Sequence, residues 1–126
     1  MMRIIYVAHP VSGDVVHNLL RAKDTLRGLF TMHPSMHFIA PWITECEIFL
    51  DVAKAHCPNA GPDHPDATSY YEALRRCCAV IERCDELWLC GGHITTGMRI
   101  EAIHAREHGI EVNNLSGDPT WPELGA

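Results

Sequence analysis

The sequence predicts an α/β domain built on a parallel sheet of four or five strands. Short β-branched runs alternate with longer segments of helical periodicity, and each strand-like run ends in residues that break it. Alternation of this kind implies right-handed crossovers and a sheet covered on both faces. The chain of 126 residues, 47% hydrophobic, is of a length and composition for one domain with a real core. No internal repeat or low-complexity tract interrupts the pattern.

The first strand is RIIYVA, Arg3 to Ala8, bounded by His9-Pro10. Ser12-Gly13-Asp14 then reads as a turn and helix cap. Val15, Val16, Leu19, Leu20, Leu26, Leu29 and Phe30 recur at helical spacing up to His33-Pro34. MHFIAP is the second strand. Trp42 to His56 is helical, with Ile43, Cys46, Phe49, Leu50 and Ala53 on one face. Cys57 to Asp66 carries three prolines and a glycine and reads as a loop, either a lid, a partner contact or a connector.

Ser69-Tyr70-Tyr71-Glu72 has the form of a capping box, and Tyr70, Leu74, Cys77, Cys78 and Ile81 form the stripe of a third helix ending near Arg83. ELWLC, Glu86 to Cys90, is the third strand. Gly97 to His108 is the fourth helix, stopped by Gly109, and IEVNN is the fourth strand. Asp85 caps or spaces the start of the third strand.

Composition narrows the function. Sixteen acids against ten bases give a net charge of -6 with no basic block, so a duplex nucleic-acid surface is not expected. No apolar run approaches the ~18 residues of a membrane span. The N-terminus MMRIIYVAHP lacks a cleavage site of the secretory kind. The six cysteines match neither a zinc knuckle nor a secreted disulfide framework, so reduced thiols in a cytoplasm are the expectation.

Ligands of parallel sheets bind beyond the carboxyl ends of the strands. Those ends are His9 to Asp14, Pro41 to Thr44 and Gly91 to Gly97. In CGGHITTGMRIEAIHA, Gly91, Gly92 and Gly97 let backbone approach a ligand, while Thr95, Thr96 and the first N–H groups of the next helix offer a cradle for an anion or a sugar phosphate. Neither a P-loop nor a GxGxxG fingerprint is present. Glu101 falls in the first or second turn of that helix, where the dipole is expected to keep it ionised; a solvated surface acid is the plainer reading. His104 and His108 stand one turn apart like a metal pair, but no third ligand is evident, so no metal is expected there. Arg99 meets either a phosphate or, more commonly, a neighbouring acid.

The segment CDELWLCGGHITTGMRIEAIHAREHGIEV resembles the nucleoside 2-deoxyribosyltransferase-like superfamily, whose members read Asp, apolar strand, short loop, then Ser-x-Gly-x-x-x-Glu and a helix before a Gly-x-x-Val strand. Asp85, Thr95, Gly97, Glu101, Ala105, Gly109 and Val112 fall in register. IIYVAHP is similar to the family's opening Ile-Tyr-x-Ala-Gly-Pro, with Tyr6 at the tyrosine and His9 where glycine is usual. CDELWLCG followed by GM-x-x-E looks most like a small phage and bacterial branch of unassigned function. The resemblance runs from about Arg3 to Val112 and is specific at its two ends.

The resemblance implies a flavodoxin/Rossmann-like three-layer domain that cleaves the N-glycosidic bond of (deoxy)nucleosides or their 5′-monophosphates, without a cofactor, as a homodimer or larger assembly. Glu101 would attack C1′, Tyr6 would orient that carboxylate, and Thr95 with Gly97 would bind the sugar or its phosphate. Cleaving members carry an aspartate in the preceding helix; here Arg76, Cys77 and Cys78 stand in its place. The leaving base then needs another acid, and His9, Asp14 and His93 are the candidates on the same rim. The alternative is a catalytically silent module that binds a nucleotide or related metabolite in the same cradle; a scaffold with no ligand is the third class.

Overall fold

The computed structural model describes residues 1–11, 13–56 and 68–121. It contains, in order, β1 (Arg3–Ala8), α1 (Val15–Met32), β2 (Met36–Ile39), α2 (Pro41–His56), α3 (Thr68–Ile81), β3 (Glu86–Leu89), α4 (Thr96–Glu107) and β4 (Glu111–Asn114). The alternation predicted from the sequence is therefore present element by element. Several boundaries shift by a residue or two, and two of the shifts change how a residue is read. Pro41 opens α2 instead of closing the second strand, as suits a residue whose missing N–H is no loss in a first helical turn. The third helix is already running at Thr68, so Ser69 lies inside it and is not its cap. The loop read at Cys57 to Asp66 and the turn residue Ser12 lie outside the described residues.

The described strands form one sheet in the order β2-β1-β3-β4, every pair parallel. Tyr6 on β1 stands level with Ile39 on β2 and Leu87 on β3. The chain leaves β1 toward β2 and returns to pair β3 on the other side. The topological switch point, where a doubly wound sheet opens a crevice, thus falls between β1 and β3.

The period of two along each strand assigns side chains to opposite faces. Tyr6, Ala8, Leu87 and Leu89 join Cys77, Cys78 and Ile81 of α3 and Met98, Ala102 and Ala105 of α4 in the larger core cluster. Ile5, Val7, Trp88 and Cys90 form the second cluster with Phe38, against Leu26 and Leu29 of α1. Ile81, Leu87 and Leu89 are wholly buried, and each such side chain contributes roughly 1.5–3 kcal/mol. Apolar burial on both faces, a three-layer arrangement, holds the sheet.

Polar contacts fix the edges. Asp85 accepts from the Ile4 amide at 2.7 Å and its own amide donates to the Ile4 carbonyl at 2.8 Å, tying the start of β3 to β1 as the sequence suggests. At the same end the buried Glu86 carboxylate collects Arg3 Nε at 3.0 Å and Nη2 at 2.6 Å, Trp88 Nε1 at 3.1 Å and Asn113 Nδ2 at 2.5 Å. Among the described residues no helix is long and apolar enough to cross a membrane.

Candidate active site at the switch point

Glu101 sits in the second turn of α4 with 5% of its surface exposed, so the reading as a solvated surface acid is overturned. Its Oε2 accepts a hydrogen bond from the hydroxyl of Tyr6, itself wholly buried at the centre of β1. The helical spacing turns Glu101, Met98, Ala102 and Ala105 to the sheet together, which delivers an acid into an otherwise apolar contact surface.

Burial dominates the electrostatics of this pair. Removal from water pushes the Glu101 carboxyl up to about 7, against the opposing pull of the Tyr6 hydrogen bond. The expectation that the helix dipole alone keeps this acid ionised is therefore corrected: at neutral pH it is poised between its two forms. Tyr6 is raised well above its ordinary value, by burial first and by the neighbouring Glu101 charge second. It keeps its proton and acts as a donor.

Cys77 of α3 completes the group, buried in the same core cluster as Tyr6. It occupies the helical place where the resemblance leads one to look for an aspartate. Burial lifts its thiol to about 12, so it supplies no proton near neutral pH. Arg76, its neighbour in sequence, faces away and forms a two-pronged pair with Glu45 of α2 at 2.5 and 2.7 Å.

The cradle residues are arranged differently from expectation. Thr95 is the N-cap of α4, its Oγ1 accepting from the Met98 amide at 3.3 Å. Gly91, at φ +99°, brings the backbone against protein, not toward open space: a Cβ there would lie 2.5 Å from Pro10 Cδ and 2.8 Å from His9 Nε2. At Gly97 the place of a side chain is taken by the hydroxyl of Tyr70 from α3. Gly92 and His93 in the loop and Thr96 at the start of α4 are exposed.

Of the three proton donors considered, two have other work. His9 is 4% exposed, its Nδ1 3.0 Å from the Pro10 carbonyl and its ring stacked near Trp42 at 6.3 Å. Burial lowers its pKa, so it is neutral and wall-like instead of a rim acid. Asp14 is the exposed N-cap of α1 and accepts from the His17 amide at 3.1 Å. His93, in the loop after β3, is open to solvent.

One residue of this region escaped sequence reasoning. Asp118, beyond β4, accepts from the Ile94 amide at 2.9 Å and from the amide and hydroxyl of Thr120 at 2.9 and 2.7 Å, and these bonds pull it down to about 2. The Ile94 N–H of the anticipated cradle is thus filled by the protein's own carboxylate. The signal was the turn-forming run Asn114-Leu115-Ser116-Gly117-Asp118-Pro119. Arg99 Nη2 donates to Thr120 Oγ1 at 2.6 Å, while its Nη1 is buried with no acceptor among the described residues. A separate open groove of about 350 Å³, lined by Arg106, Gly109 to Val112 and Trp121, lies at the amino end of β4, away from Glu101.

Fold and site together define an α/β domain with a tyrosine-held carboxylic acid at the switch point of a parallel sheet. A family described as a domain of unknown function (DUF7768) matches residues 63–115, a stretch that holds α3, β3, α4 and β4. That segment contains Glu101 and Cys77 but not Tyr6. No curated protein matches the chain.

Proposed function

We propose that this domain cleaves, or transfers at, the N-glycosidic bond of a (deoxy)nucleoside or its 5′-monophosphate, with Glu101 as nucleophile and Tyr6 as its positioning donor. The observation that carries the reading is a buried carboxyl group at the switch point whose partners are a tyrosine hydroxyl and no cation among the described residues. Burying an acid without a cation is costly, and a purely structural carboxylate is normally paired.

In the proposed reaction the ionised Glu101 forms a bond to C1′ as the C1′–N bond breaks. The base departs with that electron pair and takes up a proton, for which His93 is the open histidine of the rim. Water or an acceptor base then attacks C1′ and frees Glu101. Tyr6 stays protonated throughout and sets the orientation of the carboxylate. Glu101 is 5% exposed, so access of a substrate to it requires the side chains packed over it to move.

A second reading, a catalytically silent nucleotide or metabolite module, is favoured by one observation: a thiol held at about 12, Cys77, beside Tyr6 where an acid would serve cleavage. Incubation with a panel of nucleosides and monophosphates, with free base followed by chromatography, separates the two. Cleavage predicts base release that Glu101→Ala abolishes while ligand binding weakens only modestly. Thr95→Ala should raise the Michaelis constant for a monophosphate more than for the bare nucleoside. Thermal shifts by nucleotides without base release would favour the silent module, and turnover surviving in Glu101→Ala would end the mechanism.

The same proposal includes a cytoplasmic setting and an assembly of two or more copies. The five described cysteines are free, and burial raises the thiols of all five, as suits a reducing compartment. Sedimentation showing only monomer at micromolar concentration would count against the assembly.

A further inference from the structure

The histidines one turn apart on α4 acquire a third partner in three dimensions. Glu82, in the turn just after α3, turns both carboxylate oxygens toward them: Oε2 lies 2.8 Å from His104 Nε2 and Oε1 lies 3.7 Å from His108 Nε2. One ligand atom from each of the three lies within 4.8 Å of the others. The two imidazoles stack at 4.2 Å between centroids with 30° between their planes.

The tautomer of His108 is set by the helix. Its Nδ1 is 2.9 Å from the His104 carbonyl, which accepts but cannot donate, so Nδ1 carries the proton. In the neutral ring Nε2 then presents a lone pair toward a carboxylate oxygen. Two lone pairs facing each other call for a cation between them, and a backbone acceptor behind the ring is the outer-shell support that ligating histidines use.

We propose that Glu82, His104 and His108 bind one divalent transition-metal ion of the zinc type. Two imidazoles and a carboxylate are a known zinc set, leaving a position for water, and imidazole selects zinc, nickel or copper over magnesium and calcium. The ion ties the end of α3 to the last turns of α4 across a solvent-facing seam. The inference is independent of any reaction at Glu101.

The test uses the intact, chelator-treated protein under reducing conditions. Titration calorimetry with zinc chloride should give one site per chain and a raised melting temperature, with no saturable site for magnesium. His104→Ala and His108→Ala should each weaken binding at least about tenfold, with circular dichroism confirming the fold, and Glu82→Gln should do likewise. Cobalt(II) titration should show visible d–d bands without a near-ultraviolet thiolate charge-transfer band. Absence of saturable zinc binding overturns the proposal. So does binding that survives both histidine substitutions, or a thiolate band that assigns the metal to cysteine.

Discussion

Two glutamates lie at opposite ends of β3's reach. Glu86, where the strand starts, and Glu101, in the helix after it ends, are 8% and 5% exposed. Glu86 accepts four hydrogen bonds, two of them from the cation Arg3. Glu101 has the hydroxyl of Tyr6 and sits at about 7. The difference teaches how to tell a structural buried acid from a poised one: the first has its charge answered, the second has its charge deferred. Similar burial goes with different partners: three donor groups, one of them a cation, for the first, and a hydroxyl for the second.

The comparison breaks first at Glu86. Glu86→Ala leaves the indole N–H of Trp88 and the amide of Asn113 without their acceptor in a part-buried position. It should destabilise the fold by about 3–4 kcal/mol, read as a lower urea midpoint at unchanged slope.

Glu101 predicts the reverse sign. The native state holds its proton up to about pH 7, whereas the unfolded chain releases it near 4.5, so the native state binds more protons between those values. The stabilisation from this group is present below pH 4.5 and is lost as pH rises to about 7. Glu101→Gln should therefore raise stability above pH 7 by on the order of 3 kcal/mol and change it little at pH 4. Denaturation series at the two pH values measure it, and equal effects at both would remove the poised carboxyl. If Glu101 is the nucleophile, kcat/KM of the wild type rises with pH through the same region near 7.

Tyr6→Phe sharpens the contrast by deleting the donor alone. Loss of one buried hydrogen bond should cost about 1 kcal/mol and move the Glu101 transition to higher pH, because that bond favours the charged form. Carboxyl-resolved NMR titration reads the shift directly. Gly97→Ala gives the smallest effect. The gain in helix propensity of up to ~1 kcal/mol offsets the push against the Tyr70 hydroxyl. The net change in stability is the difference of these two opposed effects, and Tyr70→Phe, by removing the hydroxyl, should make Gly97→Ala more favourable in a urea denaturation series.

Most of the fold was legible because it is written in local periodicity. Each strand and helix of the described residues announced itself through β-branched runs, 3.6-residue stripes and the punctuation of His9-Pro10, Gly91-Gly92 and Gly109. The site was legible only in part. The position of Glu101 on its helix was readable, but its ionisation was misjudged because the helix dipole is a local property and burial is not. His104 and His108 were visible as a pair, whereas Glu82 joins them from 22 residues away across a helix seam. His9 reads from the sequence as a rim group, whereas the close approach of Gly91, a non-local contact, makes it part of the buried wall.

The meeting of Tyr6 and Glu101 has a consequence for how the protein is made. The two residues are 95 positions apart in the chain, and β1, inside the sheet, has both of its edges paired only once β2 and β3 have both been delivered. Contacts of such long sequence separation form late and slowly, since chain closure precedes any reward. The carboxyl group is carried into the interior only when α4 docks, so in any chain conformation with α4 undocked that acid stays in water. Proton uptake near pH 6 should therefore accompany the docking of α4 in a refolding trace.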